Sequence, residues 1–335
     1  MKFDAAIPPT SLREIPQLAR EAEEIGFDAL WSPETQHDPF LPMALVAEHS
    51  QRFTFGTAVA IGFARSPGTL AYTAWDLSQA SGGRFILGLG TQVQAHIERR
   101  FGMSWPQSPI GKLRELIGAI RALWSTWQTG ERLRFRGEYF NLSLMSPFFN
   151  PGPIEHPEIP IYIAGVNTGL CRLAGEMADG FHVHPFHSEG YLREVVRPAI
   201  AEGAARTGRN ENDIKLAAPV MNVESYDMAD FVRSQIAFYA STPSYRPVMA
   251  HHGWGEVADQ LRELARLQQW GEMPGLIRDE MLDTFAVIAP EHELASAIKA
   301  RYTDLVDRVN LYLPFQPGVM GGFWRRMVTD MREGP

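Results

Sequence analysis

The chain has 335 residues, 45% hydrophobic and 21% charged, with a formal net charge of −8 and a single cysteine, Cys171. This composition excludes the disordered and fibrous classes, and the acidic balance supplies no overall basic field for nucleic acid. One cysteine excludes an intrachain disulfide framework or a zinc-finger cluster and fits a reducing compartment, so a cytoplasmic location is expected. No apolar run is long enough to span a bilayer, and the opening MKFDAAIPPT carries no signal core, so no membrane partner is expected.

In chain order, Lys2 to Ile7 alternates and stops at Pro8-Pro9, which predicts a first strand. Ser11 is a candidate cap for a helix whose apolar positions Ile15, Leu18, Ala22 and Ile25 recur at helical spacing up to Gly26. Phe27 to Trp31 reads as a second strand, followed by a polar loop with Glu34, His37 and Asp38. A helix over Pro42 to His49 precedes a third strand, Thr54 to Ile61, and the turn Arg65-Ser66-Pro67-Gly68. Phe85, Ile86, Leu87 and Leu89 form an apolar run ending in Gly88 and Gly90, as in a strand buried on both faces of a parallel sheet. Helical pattern flanks it, from Gly68 to Ser81 and from Ile110 to Trp127. Residues 129–160 are too rich in breakers for a regular helix and predict an insertion with a short hairpin. Strands follow at Ile161 to Ala164 and Gly180 to Val183, with a helix from Leu170 to Ala178 between them. After a helix over Tyr191 to Thr207 comes a seventh strand, Lys215 to Val223. The chain is then mostly helical to Gly271, loops through Asp279 to Pro290, and returns as a helix from Glu291 to Tyr302. An eighth strand, Val309 to Leu313, and a closing helix from Phe323 to Met331 complete it.

Three junctions, AEEIGFDALW, AGEMADGFHV and TDLVDRVNLYL, repeat a helix end, an acidic residue and an apolar strand start. Eight strands joined this way predict a (β/α)8 TIM barrel, one α/β domain over residues 1–335 with insertions near 129–160 and 241–290. The rival dinucleotide fingerprint fails because Val93 replaces its third glycine.

In a barrel, the loops after the strands carry the chemistry. Glu34 and His37 share one such loop and have the residue types for proton transfer, although two polar residues in a surface loop also need no chemical role. Gly165-Val166-Asn167-Thr168 opens onto a helix, as either a phosphate contact or a simple capping turn. His182, His184 and His187 form a second cluster, in and just after the strand Gly180 to Val183. Two of them share a strand face suited to metal ligation, yet no matching carboxylate is identifiable, so no metal is assigned. Trp31, Phe63 and His184 are candidates for a substrate pocket, with core packing the plainer role for the aromatics. His96, Arg99 and Arg100 suit either an anionic cofactor tail or a solvated helix face.

The stretches GFDALW, FGTAVAIGFARSPGTLA, GRFILGLGT, KLRELIGAIRALW with RGEYFNL, and IPIYIAGVNTGLCRLAGEMADGF resemble, in order, the bacterial luciferase-like superfamily. The resemblance is closest to its branch that uses the deazaflavin coenzyme F420. It implies a flavin-type ring at the carboxyl end of the barrel, a small-molecule substrate and a homodimer. It also implies a bulge with a non-proline cis peptide at Ala58-Val59 behind the ring, and phosphate contacts at Gly90, Thr91 and Gln92 and at Gly165, Val166 and Asn167. Thr35 aligns with a histidine of the sugar-phosphate dehydrogenases of this branch, and GTQ with Val93 replaces their acidic turn, which argues against glucose 6-phosphate as substrate. The expected activity is an F420-dependent oxidoreductase with Glu34 or His37 as acid or base. A monooxygenase using reduced FMN and a metal-dependent hydrolase on the same barrel are the alternatives.

Overall fold

The computed structural model describes residues 1–333. Its eight principal strands are β1 (Lys2–Ala6), β2 (Ala29–Ser32), β3 (Thr54–Thr57), β4 (Phe85–Gly90), β5 (Ile161–Gly165), β6 (Gly180–Val183), β7 (Lys215–Val223) and β8 (Arg308–Leu311). They follow one another around a sheet in which β6 joins β7 and β8 returns to β1, and at least one helix separates each strand from the next. This is the (β/α)8 barrel predicted from the strand count. All six residues of β4 are buried, as a parallel strand covered on both faces requires. No helix among the described residues is long and apolar enough to cross a membrane.

The chain resolves into two compact units. The first comprises Ile7–Ala164 with Met177–Gly180. Its helices begin and end where the sequence supplies caps. Ser66 and Ser108 accept backbone N–H bonds from Thr69 and Gly111 at the starts of the helices Pro67–Ser81 and Pro109–Thr129, and both of those helices open with proline. Ser11 instead accepts from the Arg13 amide in the turn before the helix Ile15–Ile25. Gly26, Gly82 and Gly130 close the three helices with positive φ. The predicted hairpin pairs Phe135–Arg136 with Asn141–Leu142. Its turn is held by Glu115, whose carboxylate accepts from the amides of Glu138, Tyr139 and Phe140. A Cβ at Gly137 would lie 2.1 Å from that carboxylate and would displace it from the turn.

The second unit contains Met1–Ala6, Gly165–Glu176 and the chain from Phe181 onward. A buried bidentate ion pair, Asp4 with Arg308 at 2.7 and 2.9 Å, ties β1 to β8. The expected loop over residues 279–290 is instead a helix, Asp279–Phe285, running into a short strand, Ala286–Ile288, which pairs with the end of β7 from Met221 to Val223. A strand of three residues is too short to show a period, which is why the sequence did not reveal it.

Candidate active site

In the first unit, the carboxyl ends of β2, β3 and β4 carry the groups of interest. After β2, Glu34 is almost wholly buried, and its Oε2 accepts from the Ile61 amide at 2.7 Å and from Arg65 Nη1 at 2.6 Å. Arg65 also reaches Asp38 at 2.8 Å, and Asp38 accepts from the amides of Phe40 and Leu41 at the head of the helix Leu41–His49. Glu34 thus closes a network that fixes the loop after β2 against the chain after β3. His37 and Thr35 are exposed in the same loop, and the Thr35 carbonyl accepts from Arg100 at 2.6 Å. Arg100 is therefore spent on the loop and on the Phe101 ring, 4.8 Å away, while His96 and Arg99 remain on an exposed helix face.

Beyond β3, the Ala58–Val59 peptide is cis, at the position the resemblance implies. The strand then resumes as Ala60–Ile61, paired with Leu89 and Gly90 of β4. Ala58 and Val59 are partly exposed. Ala58 packs on a buried cluster of Ala29, Trp31, Ile86 and Tyr162, so Trp31, 2% exposed, acts as the floor beneath Ala58. A Cβ on Gly90 would come within 2.7 Å of Val59 Cγ2, so glycine is what lets Val59 sit there. Past Gly90, Gln92 adopts φ 59 and its side chain accepts from the Val93 amide, while Thr91 Oγ1 donates to the Gln92 carbonyl.

Phe63 is buried, and its ring meets Trp105 edge-on at 5.8 Å. Above the Phe63 ring, at 4.8 Å, lies the ammonium of Lys112, whose pKa burial lowers. Lys112 stands one turn before Leu116, which packs on Gly62, so it belongs to the same end of β3 and β4. The amino-acid pattern marks Lys112 only as a helix position, and its cation–π contact depends on a residue 49 positions away (112 − 63).

In the second unit, the turn after β5 is capped by Asn167, whose Oδ1 accepts from the Leu170 amide at 2.9 Å at the head of the helix Thr168–Met177. The capping alternative for Asn167 is thus realised. Tyr191 donates to the Val166 carbonyl at 3.2 Å, and Arg172 reaches Thr168 Oγ1 at 3.4 Å. A Cβ on Gly165 would meet the Leu170 side chain at 2.6 Å.

The histidines in and after β6 separate by role. His187 is buried, with Nδ1 against the His184 carbonyl at 2.8 Å and Nε2 against Tyr302 Oη at 3.1 Å, so both ring nitrogens are engaged by the protein. Burial holds its pKa down at about 4, and that of His182 at about 3, with Arg308 adding to the latter. Among the described residues, no group of three His, Cys, Asp or Glu side chains is placed to hold a metal ion. His184 immediately follows β6. Its Nδ1 accepts from the Phe186 amide at 3.1 Å, which leaves the ring proton on Nε2, and burial pushes its pKa down to about 3. The ring packs on Tyr239 at 4.7 Å and Tyr245 at 4.4 Å. Tyr239 and Tyr312 bring their hydroxyls to 2.5 Å, and Tyr312 donates on to Gln235 at 3.1 Å. These tyrosines escaped the sequence reading because 73 residues separate the two hydroxyls.

The model of the luciferase-like monooxygenase family matches residues 2–308. An uncharacterised protein of Mycobacterium tuberculosis strain H37Rv is 43% identical over 315 residues, 92% of each chain. A putative coenzyme F420-dependent oxidoreductase of the same strain is 28% identical over 303 residues, covering 84% of this chain and 85% of that one. Among solved structures, the coenzyme F420 dependent tetrahydromethanopterin reductase of Methanopyrus kandleri superposes with a TM-score of 0.77 at 21% identity, over 98% of this chain and 96% of that one. The chain accordingly belongs to the luciferase-like monooxygenase family and is an oxidoreductase.

Proposed function

We propose that the protein is an F420-dependent oxidoreductase that moves a hydride between the deazaflavin and a small organic substrate. The observation that carries this reading is the similarity, along most of the chain, to a relative named for F420. The site fits a flat ring. Ala58 and Val59 offer small, partly exposed side chains on a floor built by Trp31, and Gly90 keeps them in place. The ammonium of Lys112, half-buried over Phe63 with its charge disfavoured by burial, gains from an anionic cofactor tail. Within the first unit, the amides of Gly90, Thr91 and Gln92 are the candidate phosphate contacts.

Bound deazaflavin supplies the hydride acceptor or donor. The chain's own task is to hold the ring and to move the accompanying proton. Because Glu34 is held by Arg65 and the Ile61 amide, we assign the proton to His37, which is exposed in the same loop and outside that network. The family's own description as monooxygenases supports a second reading, with reduced FMN and dioxygen.

Parallel fluorescence titrations of cofactor-free protein with F420 and with FMN test the proposal. Tight F420 binding, weak FMN binding and roughly tenfold weaker F420 binding by Lys112→Gln are expected. A preference for FMN would move the assignment to oxygen chemistry.

A further inference from the structure

The cluster at the carboxyl ends of β6 and β8 has an unusual electrical character for an enzyme site, because every group in it is uncharged. His184 keeps Nδ1 for the Phe186 amide and carries its proton on Nε2. Tyr312 donates to Gln235, so the short contact between the phenols is a donation from Tyr239 to Tyr312, and the Tyr239 oxygen retains the capacity to accept. Burial raises the pKa of both Tyr239 and Tyr245, with Tyr312 acting in the same direction on Tyr239, so both phenols stay protonated. The neighbouring basic residue in sequence, Arg246, is committed to Asp259 through two bonds of 2.8 and 2.7 Å. Next to Tyr239, the exposed rings of Phe238 and Trp270 stand 6.3 Å apart and extend the apolar surroundings.

We infer that His184, Tyr239, Tyr245 and Tyr312 form the recognition wall for an uncharged substrate bearing a hydroxyl or carbonyl oxygen, and that they select against phosphorylated or carboxylated compounds. The inference rests on the proposed oxidoreductase reading and specifies its substrate class. An alcohol oxygen finds a donor in His184 Nε2–H and an acceptor in the Tyr239 oxygen, and a carbonyl oxygen uses the donor alone. A phosphate or carboxylate would lose its hydration against four uncharged side chains, which is the costly case for a buried charge. Aromatic faces on Tyr239 and Tyr245 favour an apolar body attached to that oxygen.

The test uses the full chain and a panel running from acetone and 2-propanol to cyclohexanone, cyclohexanol and menthol, with cyclohexyl phosphate and cyclohexane carboxylate as charged counterparts. Binding is read from quenching of intrinsic fluorescence without cofactor, and turnover is read with F420. At least one uncharged member should bind tenfold or more tightly than its charged counterpart. Tyr239→Phe and His184→Phe should each weaken alcohol binding about tenfold while leaving F420 affinity unchanged, and Tyr245→Lys should shift preference towards the charged probes. Charged probes binding as well as uncharged ones, no uncharged member binding, or folded Tyr239→Phe and His184→Phe proteins binding alcohol like the wild type would each overturn the inference. Failure of wild-type protein to bind F420 would strike the cofactor assignment instead, because the cofactor-free binding comparison stands apart from it.

Discussion

The loop after β2 and the cluster after β6 and β8 both sit at carboxyl ends of barrel strands, yet they are built on opposite principles. The first is ionic. Glu34, Arg65 and Asp38 pair with one another and with backbone amides, so their charges are consumed in fixing a loop. The second is neutral, a histidine and three tyrosines whose hydrogen bonds run through the cluster and leave a donor and an acceptor for a ligand. The contrast teaches that charged residues in a barrel loop are not automatically its reactive ones. Glu34 shares one carboxylate oxygen between an arginine and an amide, whereas the neutral cluster is the one to which the proposed substrate contact is assigned.

The sharpest way to break this comparison is acid. Burial lowers the pKa of His184 and of its neighbour His182 to about 3 and of His187 to about 4, from an ordinary 6.5. Between pH 6.5 and those values the unfolded chain binds more protons than the folded one. Stability is therefore complete above pH 6.5 and falls as the pH descends, by up to about 1.4 kcal/mol per pH unit for each imidazole. Urea midpoints between pH 7.5 and 5 should show this decline, and His187→Gln should reduce its slope. A flat profile would mean that these rings are not held neutral by the fold.

Next in size is the ionic clamp. Arg65→Ala leaves the Glu34 carboxylate buried without its cation, and breaking such a pair costs about 3 kcal/mol. Urea denaturation at pH 7.5 should register that loss, and a change below about 1 kcal/mol would show the clamp to be dispensable. Gly90→Ala is milder for stability, about 1–2 kcal/mol from overpacking. The new methyl would press on Val59, a β-branched side chain with little freedom to turn away, so F420 affinity should fall more than stability does. Unchanged cofactor affinity in a folded Gly90→Ala protein would remove Val59 from the ring platform. His96→Ala, on an exposed face, should alter stability by no more than about 0.5 kcal/mol in the same denaturation measurement.

The barrel was legible because strands such as Phe85–Gly90 are continuous apolar runs and the first helix stops at Gly26, while the caps Ser66 and Ser108 emerged only with the structure. The site was legible as a set of loops but not as a set of roles. The ion pair of Glu34 with Arg65 was not legible, because Arg65 lies 31 residues away in a turn that reads only as punctuation. Asn167 carried two readings, and the cap it makes became visible only with the helix in place. Tyr239 and Tyr312 lie on different elements whose meeting depends on the closure of β6, β7 and β8, and no local pattern encodes that.

The central claim is hydride transfer through the deazaflavin, and its most direct test is anaerobic. Protein, oxidised F420 and the uncharged alcohol panel are mixed without oxygen while F420 fluorescence is followed. The account predicts loss of fluorescence with at least one alcohol and formation of the matching ketone or aldehyde in equal amount. Persistence of F420 fluorescence across the panel, together with oxygen consumption when reduced FMN replaces F420 in air, would contradict it.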